Sequence, residues 1–157
     1  MKKTVLLILG LAIIISAIAC GDPDTPESAA ITITAGDKKY VVTMDDMLAF
    51  KPSEVLAYPR DEERRFTGVS LISVFDRVGI DYSNMKSVNF TAADGFGVEL
   101  AADEVLNTKN TFIVITEDNE PLGHYDEDGS GPFMVVLAED PFPNRWVRNL
   151  VEISIVT

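Results

Sequence analysis

The sequence predicts a mixed, β-rich α+β domain with short helices, and three observations carry that prediction. Phe133 to Ala138 is a continuous apolar run of strand length, which suits a strand covered on both faces. Val151, Ile153 and Ile155 alternate with Glu152 and Ser154, the pattern of a half-buried strand. Leu71, Val74, Phe75 and Val78 recur at i, i+3, i+4 and i+7, one face of an amphipathic helix. Trp146, the only tryptophan, lies between the first two segments and is expected to plug a core over which the two strands join.

Taken in order, Ile31 to Thr34 alternates, Gly36-Asp37 turns, and Tyr40 to Val42 returns as a hairpin. Thr43 followed by Asp46 predicts an N-cap with an acid at N3, opening a short helix that runs to Phe50 and stops at Lys51-Pro52. Glu54 to Tyr58 reads as a strand ended by Pro59, and Arg60 to Arg65 as a charged loop or strand edge. Ser70 caps the Leu71 helix and Gly79 takes its C′ position. Val88 to Ala92, the Asp94-Gly95 turn and Phe96 to Leu100 predict a second hairpin. Ala102 to Leu106 suits a short helix, and Thr111 to Thr116 another buried strand. The tally is seven or eight strands and two to four helices, with no internal repeat.

The N-terminus reads as a targeting segment. Lys2 and Lys3 precede an apolar core from Val5 to Ile15, and Ser16-Ala17-Ile18-Ala19 leads into Cys20, the only cysteine. The apolar stretch is shorter than the ~18 residues of a spanning helix. This arrangement resembles the lipobox of bacterial lipoproteins. The resemblance implies a signal peptide over 1–19, cleavage before Cys20, and fatty-acyl chains of the palmitate kind anchoring the protein to the membrane. Residues 20–30 then form the lipidated Cys and a polar tether, and 31–157 the folded domain. Gly21 is not an inner-membrane retention signal, so the expected address is the extracytoplasmic face of the envelope, on the outer membrane where there is one. With Cys20 acylated, no thiol remains for a disulfide, a metal or nucleophilic attack.

The chain carries 13 bases against 25 acids. Removing Lys2 and Lys3 leaves a net charge of 11 − 25 = −14. Such a field opposes nucleic acid and anionic headgroups. No Ser/His/Asp set, phosphate-binding glycine loop or basic–aromatic interleaving is present.

From Arg65 onward the order of segments carries a further resemblance. Phe66-Thr67-Gly68-Val69-Ser70-Leu71 opens the helix to Gly79-Ile80. Ala93-Asp94-Gly95-Phe96, Glu120-Pro121-Leu122, Gly131-Pro132 and Trp146-Val147-Arg148-Asn149-Leu150 follow, with a last Ile-rich strand. This is similar to the oxidoreductase molybdopterin-binding domain of sulfite-oxidase-like proteins, and it implies that family's mixed, β-rich fold. Family enzymes hold molybdenum through a cysteine upstream of the Gly-Val-x-Leu helix; Val55 to Arg65 contains none. Where the family carries an Arg two residues after the Gly-Pro proline, this chain has Met134. The sequence therefore leads to a non-catalytic module that holds a small ligand or an envelope protein at the old cofactor cleft. The alternative is a molybdopterin-dependent oxidoreductase, or its accessory subunit, that keeps the cofactor without cysteine ligation.

The candidate ligand-binding residues are Arg64 and Arg65 in the cationic run, Asp94 and Phe96 at the hairpin turn, and Trp146 flanked by Arg145 and Arg148. Arg can grip an oxyanion in bidentate fashion and Trp can stack. His124, Asp126 and Asp128 are oxygen and nitrogen donors within five residues. They read either as a solvated acidic loop or as a divalent-cation site, although EF-hand spacing is absent and Leu137 stands where the closing Glu would be.

Overall fold

The computed structural model describes residues 29–157. The predicted signal peptide, Cys20 and nearly all of the tether lie outside the described residues. The chain folds into a sheet-dominated mixed α+β domain built from two five-stranded sheets.

The first sheet has the order β2-β1-β10-β5-β6. β1 (Ala30–Ala35) and β2 (Lys38–Thr43) form the expected hairpin, with Ile33 opposite Tyr40. β5 (Ser87–Ala92) and β6 (Gly97–Ala101) form the second hairpin. β10 (Leu150–Val156) slots between the two, parallel to β1 and antiparallel to β5. Ile31, Ile33, Phe90 and Ile153 all point inward from it and are at most 1% exposed.

The second sheet runs β3-β4-β7-β8, with β9 also on β7. β3 (Ser53–Ala57) and β4 (Arg64–Ser70) are joined by a 3-10 turn at Pro59–Asp61. β7 (Thr111–Glu117) is central, and β8 (Glu120–Pro121) and β9 (Met134–Leu137) pair with different stretches of it. All four residues of β9 are buried, as its unbroken apolar run predicts. β4 is a strand that the sequence reading passed over. At Gly68 a Cβ would sit 2.4 Å from the Ile113 carbonyl oxygen, so the close approach of β4 to β7 requires glycine.

Three helices complete the domain. α1 (Met44–Ala49) opens with the capping box expected at Thr43 and Asp46: Thr43 Oγ1 accepts from the Asp46 amide at 3.2 Å, and Asp46 Oδ2 accepts from the Thr43 amide at 2.9 Å. α2 (Leu71–Val78) starts at Ser70 and ends at Gly79 with φ 74°. Its Leu71, Val74 and Phe75 are fully buried, each contributing roughly 1.5–3 kcal/mol. α3 (Ala102–Leu106) follows β6. Among the described residues no helix is long and apolar enough to cross a membrane.

Two expectations need correction. β9 and β10 belong to different sheets, so they are not paired across Trp146; the link is an isolated bridge between Val135 and Val147. Val151 is 41% exposed rather than buried. A register shift between Leu150 and Glu152 is a bulge, and an extra residue reverses the facing of the side chain beside it.

Candidate functional site

Asn149 organises a mostly apolar recess. Its φ of 51° is left-handed, a conformation Asn adopts more readily than most residues. Its amide donates to the Ser130 carbonyl at 2.7 Å, and its carbonyl accepts from the Ala93 amide at 2.9 Å. One residue thereby ties the start of β10 to the β5–β6 turn and to the loop before β9. That loop is closed on itself: the Ser130 amide donates to Leu122 O at 2.8 Å and the Gly131 amide to Gly123 O at 3.0 Å. A Cβ at Gly129 would lie 2.4 Å from the Gly123 carbonyl carbon, so the two loop arms touch backbone to backbone. The Gly131-Pro132 peptide is cis.

The result is a cavity of about 240 Å³ walled by Ala29, Ala30, Ala93, His124, Tyr125, Asp126, Pro132, Asn149, Leu150 and Val151. The bulge supplies Val151 to this wall. Asn149 Oδ1 is buried with no hydrogen-bond partner among the described residues, and such an acceptor is costly to desolvate. Mostly apolar walls, with polar groups only from His124, Tyr125, Asp126 and Asn149, suit a small molecule with an apolar body and no negative charge.

The predicted residues are placed as follows. Arg64 Nε donates to Glu117 Oε1 at 2.6 Å, and its guanidinium carbon lies 5.2 Å from the ring centres of both Phe66 and Trp146. Arg65 donates to Glu63 Oε1 from Nε and Nη2, at 2.9 and 2.7 Å; that pairing holds the Glu63 carboxyl below its ordinary range. Arg145 makes a bidentate pair with Asp140 at 2.8 and 2.7 Å and a third bond to Glu104 at 2.7 Å. Those carboxylates raise its pKa further, Asp140 foremost. Trp146 is a core residue, 5% exposed, edge-on to Phe66 at 5.5 Å, with its indole N–H donating to Leu137 O at 3.2 Å. It does not line the cavity. Arg148 is exposed and outside every ion pair among the described residues. Asp94 Oδ1 accepts from the Phe96 amide at 2.9 Å, and Phe96 is 44% exposed; both sit beside Ala93 rather than in the wall.

His124 and Asp126 reach the same cavity wall, while Asp128 terminates the 3-10 turn Tyr125–Glu127 in a left-handed conformation. Among the described residues no group of three or more His, Cys, Asp or Glu side chains is placed to hold a metal ion. Asn149, Tyr125, Pro132 and Val151 were missed by sequence reasoning. Only the Gly131-Pro132 and Arg148-Asn149-Leu150 segments of the family resemblance pointed near them.

No family model and no curated protein matches this chain. Among solved structures it is similar to the sulfane dehydrogenase SoxCD from Paracoccus pantotrophus, at 16% identity and a TM-score of 0.63. The match covers 80% of this chain and 37% of that one. At that identity the likeness shows a resemblance of fold alone. The donor set does not fit a sulfur-ligated molybdenum: the only cysteine is Cys20, and a soft metal wants a thiolate. Of the candidate arginines, Arg64, Arg65 and Arg145 already hold carboxylates, which leaves Arg148 alone outside an ion pair among the described residues.

Proposed function

We propose that the protein is a non-catalytic binding module, tethered by Cys20 to the extracytoplasmic face of a bacterial membrane, that holds a small organic ligand in the Asn149 cavity. The observation that carries the reading is a mostly apolar recess at Asn149, whose side-chain oxygen has no partner among the described residues, while three of the four candidate arginines are committed to carboxylates outside its wall. An oxyanion clamp is thereby replaced by a site for a nearly neutral molecule. The cavity is below the ~300–1,000 Å³ of drug-sized sites, so the ligand is of fragment size.

The test is a fragment screen of neutral amides, phenols and alcohols, followed by NMR shifts of the Asn149 side-chain amide and the Val151 methyls. Saturable shifts at both, abolished in Asn149→Leu, support the reading. Their absence across the set at millimolar concentration would overturn it. A mature N-terminal mass without a diacylglyceryl thioether on Cys20 would remove the anchor.

The likeness to a sulfane dehydrogenase favours a second reading, an oxidoreductase or accessory subunit that keeps molybdopterin without protein sulfur. Molybdenum or tungsten near one equivalent, in protein from a cofactor-competent host, would establish it and displace the first.

A further inference from the structure

A second cavity, of about 320 Å³, lies where β3 begins, β4 ends and β7 begins. It shares no lining residue with the Asn149 recess. Its apolar side is Phe50, Val69 and Phe112; its polar side is Lys51, Ser70, Ser73, Asp76, Arg77 and Thr108. The described domain is acidic, yet here two cations outnumber one carboxylate. Among the described residues every ion pair belongs to Arg64, Arg65 or Arg145, so Lys51 and Arg77 have no acidic partner. Asp76 is turned to another task, since its Oδ1 accepts the Tyr82 hydroxyl at 2.9 Å.

The cations are positioned. Lys51 follows the last turn of α1 with φ 57°, its amide donating to Leu48 O at 3.2 Å. A lysine just before a proline gains nothing from the left-handed region. The Arg77 guanidinium carbon lies 5.9 Å from the centre of the Phe50 ring, which spreads the planar cation along the cavity's aromatic side. The Ser70 and Ser73 hydroxyls are hydrogen-bonded to each other at 2.7 Å at the start of α2, which leaves one hydroxyl proton free to donate to a ligand.

We propose that this cavity binds an organic anion whose carboxylate or phosphate head meets Lys51 and Arg77 and whose apolar body lies on Phe50 and Phe112. The head would take charge-assisted bonds, and the aromatic side would exclude water from one face of them. The proposal stands independently of the neutral-ligand reading.

Benzoate and inorganic phosphate separate the two parts of the claim. Titrated at low salt, benzoate is expected to give saturable shifts of the Gly68 and Ser73 amides in the millimolar range, with phosphate weaker and competing. Lys51→Gly with Arg77→Gln should weaken benzoate at least roughly tenfold, the loss of charge-assisted contacts. Lys51→Gly alone should raise the melting temperature, since glycine suits φ 57°, and the double variant should melt near the parent, so lost binding in it cannot be blamed on lost folding. Shifts that persist in the double variant, or no saturable shift by either probe, would overturn the proposal. Equal binding of phosphate and benzoate would refute the aromatic part.

Discussion

Replacing Arg64 by methionine tests whether that arginine is part of the fold or part of a ligand clamp. Methionine keeps an apolar stem and removes the charge together with the guanidinium N–H donors. Two arene contacts, each with the guanidinium 5.2 Å from a ring centre, contribute about 0.5–1 kcal/mol apiece. The bond to Glu117 is between side chains that are 28% and 29% exposed, so solvent screening reduces it to about 0.5 kcal/mol. The expected loss is about 2 kcal/mol, or roughly 8 °C in melting temperature for a domain of this size. Urea unfolding followed by Trp146 emission is the assay, because the lone tryptophan is buried against Arg64. The emission of the folded variant should shift to the red. Adding Glu117→Gln should then cost less than it does in the parent protein. A loss below about 0.5 kcal/mol with unchanged emission would show that Arg64 is idle in the fold and open to a ligand.

Gly68→Ala would place a Cβ 2.4 Å from Ile113 O and 2.8 Å from Val114; β4 and β7 must part, costing about 3 kcal/mol in the same urea assay. Arg145→Met strips both Asp140 and Glu104 of their partner and should lower stability by about 1–2 kcal/mol, read as a drop in urea midpoint. The Asp46 carboxyl is held below its ordinary value of 3.8 by the hydroxyl and amide of Thr43. A depressed folded-state pKa stabilises above the unfolded value and stops doing so as pH falls through the folded one. Asp46→Asn should therefore lower the melting temperature at pH 7, and the gap to the parent should close as the pH falls below about 4.

Local grammar was readable in the sequence and long-range partnership was not. The Thr43 capping box, the α2 stripe and both hairpins depend on residues within a few positions of each other. β4 was hidden because Arg64, Arg65 and Gly68 break the look of a strand, although it lies between β3 and β7. The Val151 reversal comes from a bulge that alternation alone cannot register. The arginines looked like an anion patch because their acids, Glu117, Asp140 and Glu104, stand five to 53 residues away. The Asn149 cavity gathers five separate stretches of chain, 29–30, 93, 124–126, 131–132 and 149–151, and Asn149 itself was unremarkable in the sequence. His124 and Asp126 do meet it, but as members of a mostly apolar wall.

The parallel pairing of β1 with β10 has a mechanical consequence. Thr32, Ile33, Thr34 and Ala35 lie beside Glu152, Ile153, Ser154 and Ile155 with both strands running the same way. A pull between Ala30 and Val156 therefore drags the two strands lengthwise past one another. All the rungs of that ladder share the load at once instead of opening in turn like a zipper. This is the arrangement that resists being drawn out, and an optical trap pulling along that axis would feel it as a high, single rupture.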